Sequence, residues 1–175
     1  MKPFLVALFV VLNAAPALAQ SAAEKSGVNA LVGAAPRTED FVQEAATGDL
    51  FEIASSKLAV ERGDAATKSF AQTMITDHQK TTEELKQIIA SKRVHATPPT
   101  AMTASQQKTL DALKALQGGD FAKQYHSDQV SAHKDAVDLF QRYGRGGDNA
   151  DLRAWALKTE PTLKHHLQMA RTLDK

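Results

Sequence analysis

Glu52, His78, His133 and His166 are the residues of this chain whose types could do chemistry together. Neutral imidazoles with one carboxylate form a donor set for a divalent transition metal; zinc and iron suit it best, with manganese and copper as further options. A glutamate inside a protein core is costly unless it is paired or protonated, and a buried histidine needs hydrogen-bond partners. The same four side chains therefore also fit a metal-free polar core in which each serves as another's partner. What groups them is position: each falls on the apolar side of a different long amphipathic segment.

Those segments follow from an apolar period of ~100° per residue. Segment A covers about 39–62, with Thr38 as N-cap and Glu39 and Asp40 in its first turn. Its apolar face holds Phe41, Ala45, Gly48 and Ala59, with Glu52 in the middle. Gly63-Asp64 breaks the chain and Asp64 caps segment B, about 65–92, where His78 sits among Phe70, Met74, Leu85, Ile88 and Ile89. Pro98-Pro99 forbids helix continuation, and Thr103 to Gln106 reads as a capping box opening a short helix, about 104–116. Segment C, about 121–143 with Asp120 as cap, places His133 within the arc of Phe121, Tyr125, Ala132, Ala136, Leu139 and Phe140. Segment D, about 150–173, carries His166 at the edge of a stripe of Leu152, Ala156, Leu163, Leu167 and Ala170. Pro161 inside D is expected to kink it or loosen its hydrogen bonding. No segment reads as a strand. The expected fold is all-α: a four-helix bundle with short A–B and C–D turns and a long B–C connection containing a short helix.

Rise along the helices tests whether the four residues meet. Counted from the A–B turn, Glu52 and His78 fall within ~4–5 Å of one height, and His133 lies near that level. His166 falls ~8–12 Å away on the same count. Other candidates point elsewhere: His126 toward the bundle boundary, His165 away from its stripe, and His95 into a loop. Met74 and Met169, one turn from His78 and His166, could add soft ligands for copper, although methionine at helical spacing also serves as packing. Tyr125 brings a hydroxyl that needs a partner, which the Glu/His cluster could supply.

The remaining signals concern compartment and excluded chemistry. Residues 1–19 have Lys2, an apolar run from Phe4 to Leu12 and Ala17-Leu18-Ala19, the pattern of a secretory signal peptide cut after Ala19. The run is shorter than the ~20 residues that span a bilayer, so the mature chain is expected to be periplasmic with no transmembrane span. Residues 20–37 read as a flexible lead-in and 38–175 as the bundle domain. There is no Cys, hence neither a disulfide nor a lipid-modified cysteine. With 21 Lys plus Arg against 20 Asp plus Glu, nothing favours nucleic acid as a partner. No Glu-x-x-His occurs, which argues against the carboxylate-rich di-iron bundles. Nucleotide-binding loops and the serine-hydrolase elbow are absent too.

Phe41, Gly48 and Glu52, then FAQTMITDH at 70–78, FAKQYHSDQVSAH at 121–133, and Pro161 with His166 in PTLKHHL together resemble a bacterial family of exported ferritin-like proteins of unknown function, domain of unknown function 4142. The likeness spans about 38–173 and implies a ferritin-like bundle whose recurring polar residues match Glu52, His78, Tyr125, His133 and His166. Members commonly carry an acid just after the Phe of the third helix, where this chain has Ala122; a site using that acid as a ligand would be depleted here. Their frequent label, predicted outer membrane protein, finds no barrel strands in this sequence. Two functional readings stay open: a periplasmic bundle binding zinc, iron, manganese or copper through Glu52, His78, His133 and His166, or a non-catalytic envelope-stress or protein-interaction module whose cluster is structural.

Overall fold

A computed structural model describes residues 21–174, so the signal peptide expected over 1–19 lies outside the described residues. The chain forms helices α1 (Ala22–Lys25), α2 (Val28–Val32), α3 (Thr38–Arg62), α4 (Ala65–Ile88), α5 (Ala104–Ala115), α6 (Gly118–Gly146) and α7 (Ala150–Leu173), with a π turn over Ile89–Arg93 extending α4. Segments A to D are α3, α4, α6 and α7, and no strand occurs among the described residues. No helix among them is long and apolar enough to cross a membrane.

Local chemistry sets most of the ends. Asp64 caps α4 by accepting from the Thr67 amide at 2.8 Å, Thr103 and Gln106 form the reciprocal capping box of α5, and Asn149 accepts from the Leu152 amide to open α7. Gly63 permits the tight α3–α4 turn, because a Cβ there would stand 2.8 Å from the Ala59 carbonyl. Two expected caps are corrected. Thr38 is the first residue of α3, its hydroxyl drawn to Tyr143 and Asp148 instead of to the helix start. Helix α6 begins at Gly118, ahead of Asp120, since glycine accepts the left-handed φ of 55° there. Helix α7 runs unbroken through Pro161; Leu157, whose carbonyl loses its donor, is an exposed residue and water can serve that carbonyl.

The four long helices form a ferritin-like bundle of two hairpins, α3–α4 and α6–α7, with α3 against α6 and α4 against α7. Two apolar clusters fix its ends. At one end Phe41 stacks on Tyr143 with centroids 3.9 Å apart and meets Phe140 and Trp155 edge-on, with Leu85, Val94, Leu152 and Leu163 packed around them. At the other, Phe70, Met74, Leu113, Phe121 and Tyr125 close over Ala59 and Ala170. Val94 lies in the first cluster and Leu113 in the second, so the α4–α6 connection travels the length of the bundle, with α5 along α3. Between the clusters lies a layer of buried polar side chains: Glu52, Ser55, Ser56, His78, Gln129, His133 and His166.

The stretch read as a flexible lead-in holds α1 and α2 and is tied to the bundle. Glu24 accepts from the Arg142 guanidinium at 2.7 Å, both side chains being buried, and the same guanidinium donates to Asp138 and to the Ala34 carbonyl. Removing one partner of a buried ion pair leaves an uncompensated charge at a cost of about 3–5 kcal/mol. Arg142→Met should therefore destabilise the protein by about that amount, with Glu24→Gln in the same chain restoring part of it. Urea denaturation checks this; equal stabilities of wild type and Arg142→Met would show that the pair contributes nothing.

Candidate metal centre

The polar layer is assembled by helical period. Glu52 faces inward because Ala45, Ala59 and the intervening buried Ser55 and Ser56 share its side of α3. His78 follows Met74 by one turn of α4, and His133 follows Gln129 by one turn of α6. On α7, His166 lies between Leu163 and Ala170. The four are 3%, 4%, 1% and 1% exposed, respectively.

The three imidazoles meet. Ring centroids are 5.6 Å apart for His78–His133, 5.6 Å for His78–His166 and 5.4 Å for His133–His166. The height count that set His166 a turn or two away is thus corrected. It took the helix tips as flush, whereas His78 is 13 residues into α4 and His166 only seven from the end of α7. Helix α7 stops short of the α3–α4 turn.

Each ring has one nitrogen committed to an acceptor. His78 Nδ1 is 2.8 Å from Asp49 Oδ1, His133 Nδ1 is 2.9 Å from the Gln129 carbonyl, and His166 Nε2 is 2.8 Å from Asp77 Oδ2. Since these partners accept, the committed nitrogens donate, and in the neutral form of each ring the other nitrogen carries the lone pair. Those nitrogens, His78 Nε2, His133 Nε2 and His166 Nδ1, are buried and have no hydrogen-bond partner, as are both carboxylate oxygens of Glu52. One ligand nitrogen from each histidine lies within 4.8 Å of the others. In a tetrahedral zinc site with bonds of 2.0–2.1 Å the ligand atoms stand about 3.3 Å apart, so small side-chain movements would close the three onto one ion. Glu52 lies beside this triad, Oε1 being 4.0 Å from His133 Nδ1.

Sequence reasoning did not single out the groups that orient these rings. Asp49 holds His78 and is itself held by the hydroxyls of Thr81 and Thr82 at 2.9 Å; it precedes Glu52 by one turn of α3, a spacing that could have flagged it. Asp77 is the sequence neighbour of His78 yet serves His166 across the α4–α7 interface. A carboxylate or carbonyl behind each histidine is the outer shell that metal-bound imidazoles ordinarily have. Tyr125 donates to or accepts from Ser56 at 2.9 Å, while Gln129 reaches Ser55. His126 is half-buried against Thr67, His165 and His95 are exposed, and Met74 and Met169 pack in the second apolar cluster.

Burial governs the charges. It holds His133 down at about 3 and His166 at about 4, the latter despite its bond to Asp77. Burial also disfavours the His78 cation, but Asp49 and then Glu52 outweigh it and leave that imidazole raised. Glu52 is pushed up to about 7 by burial, against the attraction of His78 and the nearby Gln129 amide. The centre can thus offer neutral imidazoles to a cation, displace one proton from His78, and hold or pass a proton at Glu52.

These shifts fix a sign for acid stability. An unfolded imidazole protonates near 6.5; below that, the unfolded chain gains protons that native His133 and His166 refuse, and stability falls toward about 4 and 3. Glu52 acts oppositely, its destabilisation fading from about 7 down to the ordinary 4.5, and the His78 contribution is already complete below 6.5. Two imidazoles against one carboxyl leave a net loss. Metal-free protein should melt lower at pH 4.5 than at pH 6.5, with a shallower dependence in His133→Leu. A melting temperature that holds steady or rises on acidification would mean the buried rings accept protons in the folded state.

Comparison with known proteins supports the fold and gives the family. The solved structure titled "CopM in the Cu(II)-bound form" is similar, with a TM-score of 0.65 and 15% identity over 80% of this chain and 97% of that one; at that identity the likeness concerns the fold alone. No curated protein matches the sequence. The family described as "Domain of unknown function (DUF4142)" matches residues 18–173, and the chain belongs to it.

Proposed function

We propose that this protein binds one divalent transition-metal ion through His78, His133 and His166, with Glu52 as fourth ligand or as the proton carrier beside it. The observation that carries the reading is the convergence of three buried, unpartnered imidazole nitrogens whose other nitrogens are each held by an acceptor. A self-satisfied polar core would spend those nitrogens and the Glu52 oxygens on one another. Instead the His133 donor goes to the Gln129 carbonyl, and each buried group left without a partner costs about 1–3 kcal/mol. A bound cation would satisfy the three lone pairs at once, with the Glu52 carboxylate beside it. Three imidazoles with a carboxylate suit zinc, iron or copper, and the fold likeness to CopM, titled as Cu(II)-bound, is a reason to include Cu(II) in the test. The leader at 1–19 makes the periplasm the compartment in which the ion would be met. If the ion keeps a water ligand, it would supply an acidified water, with Glu52 placed to take its proton.

The test is elemental analysis of protein exported to the periplasm and purified without a histidine tag. Near one equivalent of a single metal is expected in wild type and none in a Glu52→Gln/His78→Ala variant. Adding back zinc, iron, manganese or copper to chelator-stripped wild type should raise its melting temperature, by about 2.7 kcal/mol of stability at a hundredfold excess over Kd. No metal in either protein, with no thermal response and with His78→Leu and His133→Leu tolerated or stabilising, would instead make the cluster structural and favour a protein-interaction module.

A further inference from the structure

Among the described residues, the polar layer is reached by a cleft on either side of the bundle, and the two differ in charge. The larger, about 450 Å³, opens between α3, α5 and α6 and ends on Glu52, His78 and His133. Its walls carry Glu44 and Asp49 from α3 and Asp128 and Asp135 from α6, with hydroxyl and amide side chains from the start of α5, and among the described residues no lysine or arginine lines it. The smaller, about 190 Å³, lies between α4 and α7 and reaches His78 and His166 past Asp77 and Glu84, which are offset there by Lys80 and Lys158.

Acidic walls alone do not make a path, but here the floor is unpartnered. Glu52 is 3% exposed with neither oxygen hydrogen-bonded, and His133, 1% exposed, presents a free Nε2. Part-way up, Asp128 commits Oδ1 to the Gln124 amide at 2.8 Å and leaves Oδ2 buried without a donor. Asp49, by contrast, is engaged by His78, Thr81 and Thr82. Asp135 lies two helical turns from Asp128 on the same side of α6, at an exposed position. A carboxylate-lined cleft with low-dielectric walls raises the local cation concentration and the association rate.

We propose that the α3–α5–α6 cleft is the entrance by which a hydrated divalent cation reaches the histidines, and that Asp128 receives it on the way in. This rests on the metal-binding reading above. A water-separated contact with the Asp128 carboxylate, its buried Oδ2 turning into the cleft, holds the ion above Glu52, where its waters can be exchanged for imidazole nitrogens. The α4–α7 cleft, whose two lysines offset its two acids, does not gather a cation and stays a side wall.

The experiment follows Co(II), used as the probe, into chelator-stripped full-length mature protein by stopped-flow absorbance at low ionic strength. Asp128→Asn should bind about three- to tenfold more slowly, Asp128→Asn/Asp135→Asn more slowly still, and the wild-type rate should fall as salt is added. The final Co(II) spectrum, which reports the inner ligands, should be that of wild type in all of them. Lys80→Gln/Lys158→Gln should bind at the wild-type rate. Should Asp128→Asn fail to fold, Asp135→Asn at its exposed position carries the same expectation in weaker form. Unchanged rates in the aspartate variants, or faster binding in the lysine variant, would overturn the assignment and put the entrance between α4 and α7. A changed final spectrum in Asp128→Asn would make Asp128 a ligand instead of a waypoint. Wild type that acquires no Co(II) spectrum would overturn this inference together with the metal centre itself, whereas normal binding at unaltered rates would overturn the entrance alone.

Discussion

A neutral imidazole has one N–H and one lone pair, and in this bundle three buried rings have had their N–H groups spoken for. Asp49, Asp77 and the Gln129 carbonyl take them from outside the cluster, so in the neutral rings the lone pairs turn inward, toward one another. Much else in the middle of the molecule follows from those three acceptors. Thr81 and Thr82 are there to hold Asp49, and Asp77 reaches from α4 to a ring on α7. The result is a concentrated patch of electron-donating atoms in a place where a four-helix bundle would ordinarily put leucine.

Such a patch persists only because both ends of the bundle are closed by apolar packing. The Phe41–Tyr143–Trp155 cluster and the Phe70–Phe121–Tyr125 cluster bracket it, and burial of aromatic side chains of 150–250 Å² each is a large favourable term. The polar layer draws on that stability without contributing to it while its donors lack a partner. Two hairpins, joined by a crossover that travels the full length, let opposite pairs of helices bring their ligands to one level from both directions. In the same arrangement Arg142 fastens the lead-in to α6, well away from the histidines.

The helices themselves were legible in the sequence, because the 3.6-residue period and side-chain caps such as Asp64 and the Thr103–Gln106 box are local properties. That one residue of each long helix turns inward was legible for the same reason. The level of His166 was not, since it depends on how far α7 slides along α4, which is decided by packing at both ends and by where each helix stops. Asp77 was also out of reach, and Asp49 was hinted at only by its one-turn spacing from Glu52: a carboxylate beside or one turn from a ligand residue looks like a solvated charge until the partner helix is in place. The lead-in misled in a similar way, because its small residues carry no period and its anchor, Glu24, finds Arg142 only across 118 residues of chain.

The crossover gives the molecule a separable part. The four ligand-bearing helices define what can be bound, but one wall of the larger cleft is contributed by Thr103, Ser105, Gln106 and Thr109, which belong to the beginning of α5. That helix packs along α3 without supplying any of the four central side chains. Substitutions at those polar positions could therefore widen, narrow or recharge the doorway while leaving the interior untouched, whereas Val94, Leu110 and Leu113 of the same connection belong to the core. A bundle built in this way has two dials, one for what it holds and another for what it admits, and sequence drift can turn the second without disturbing the first.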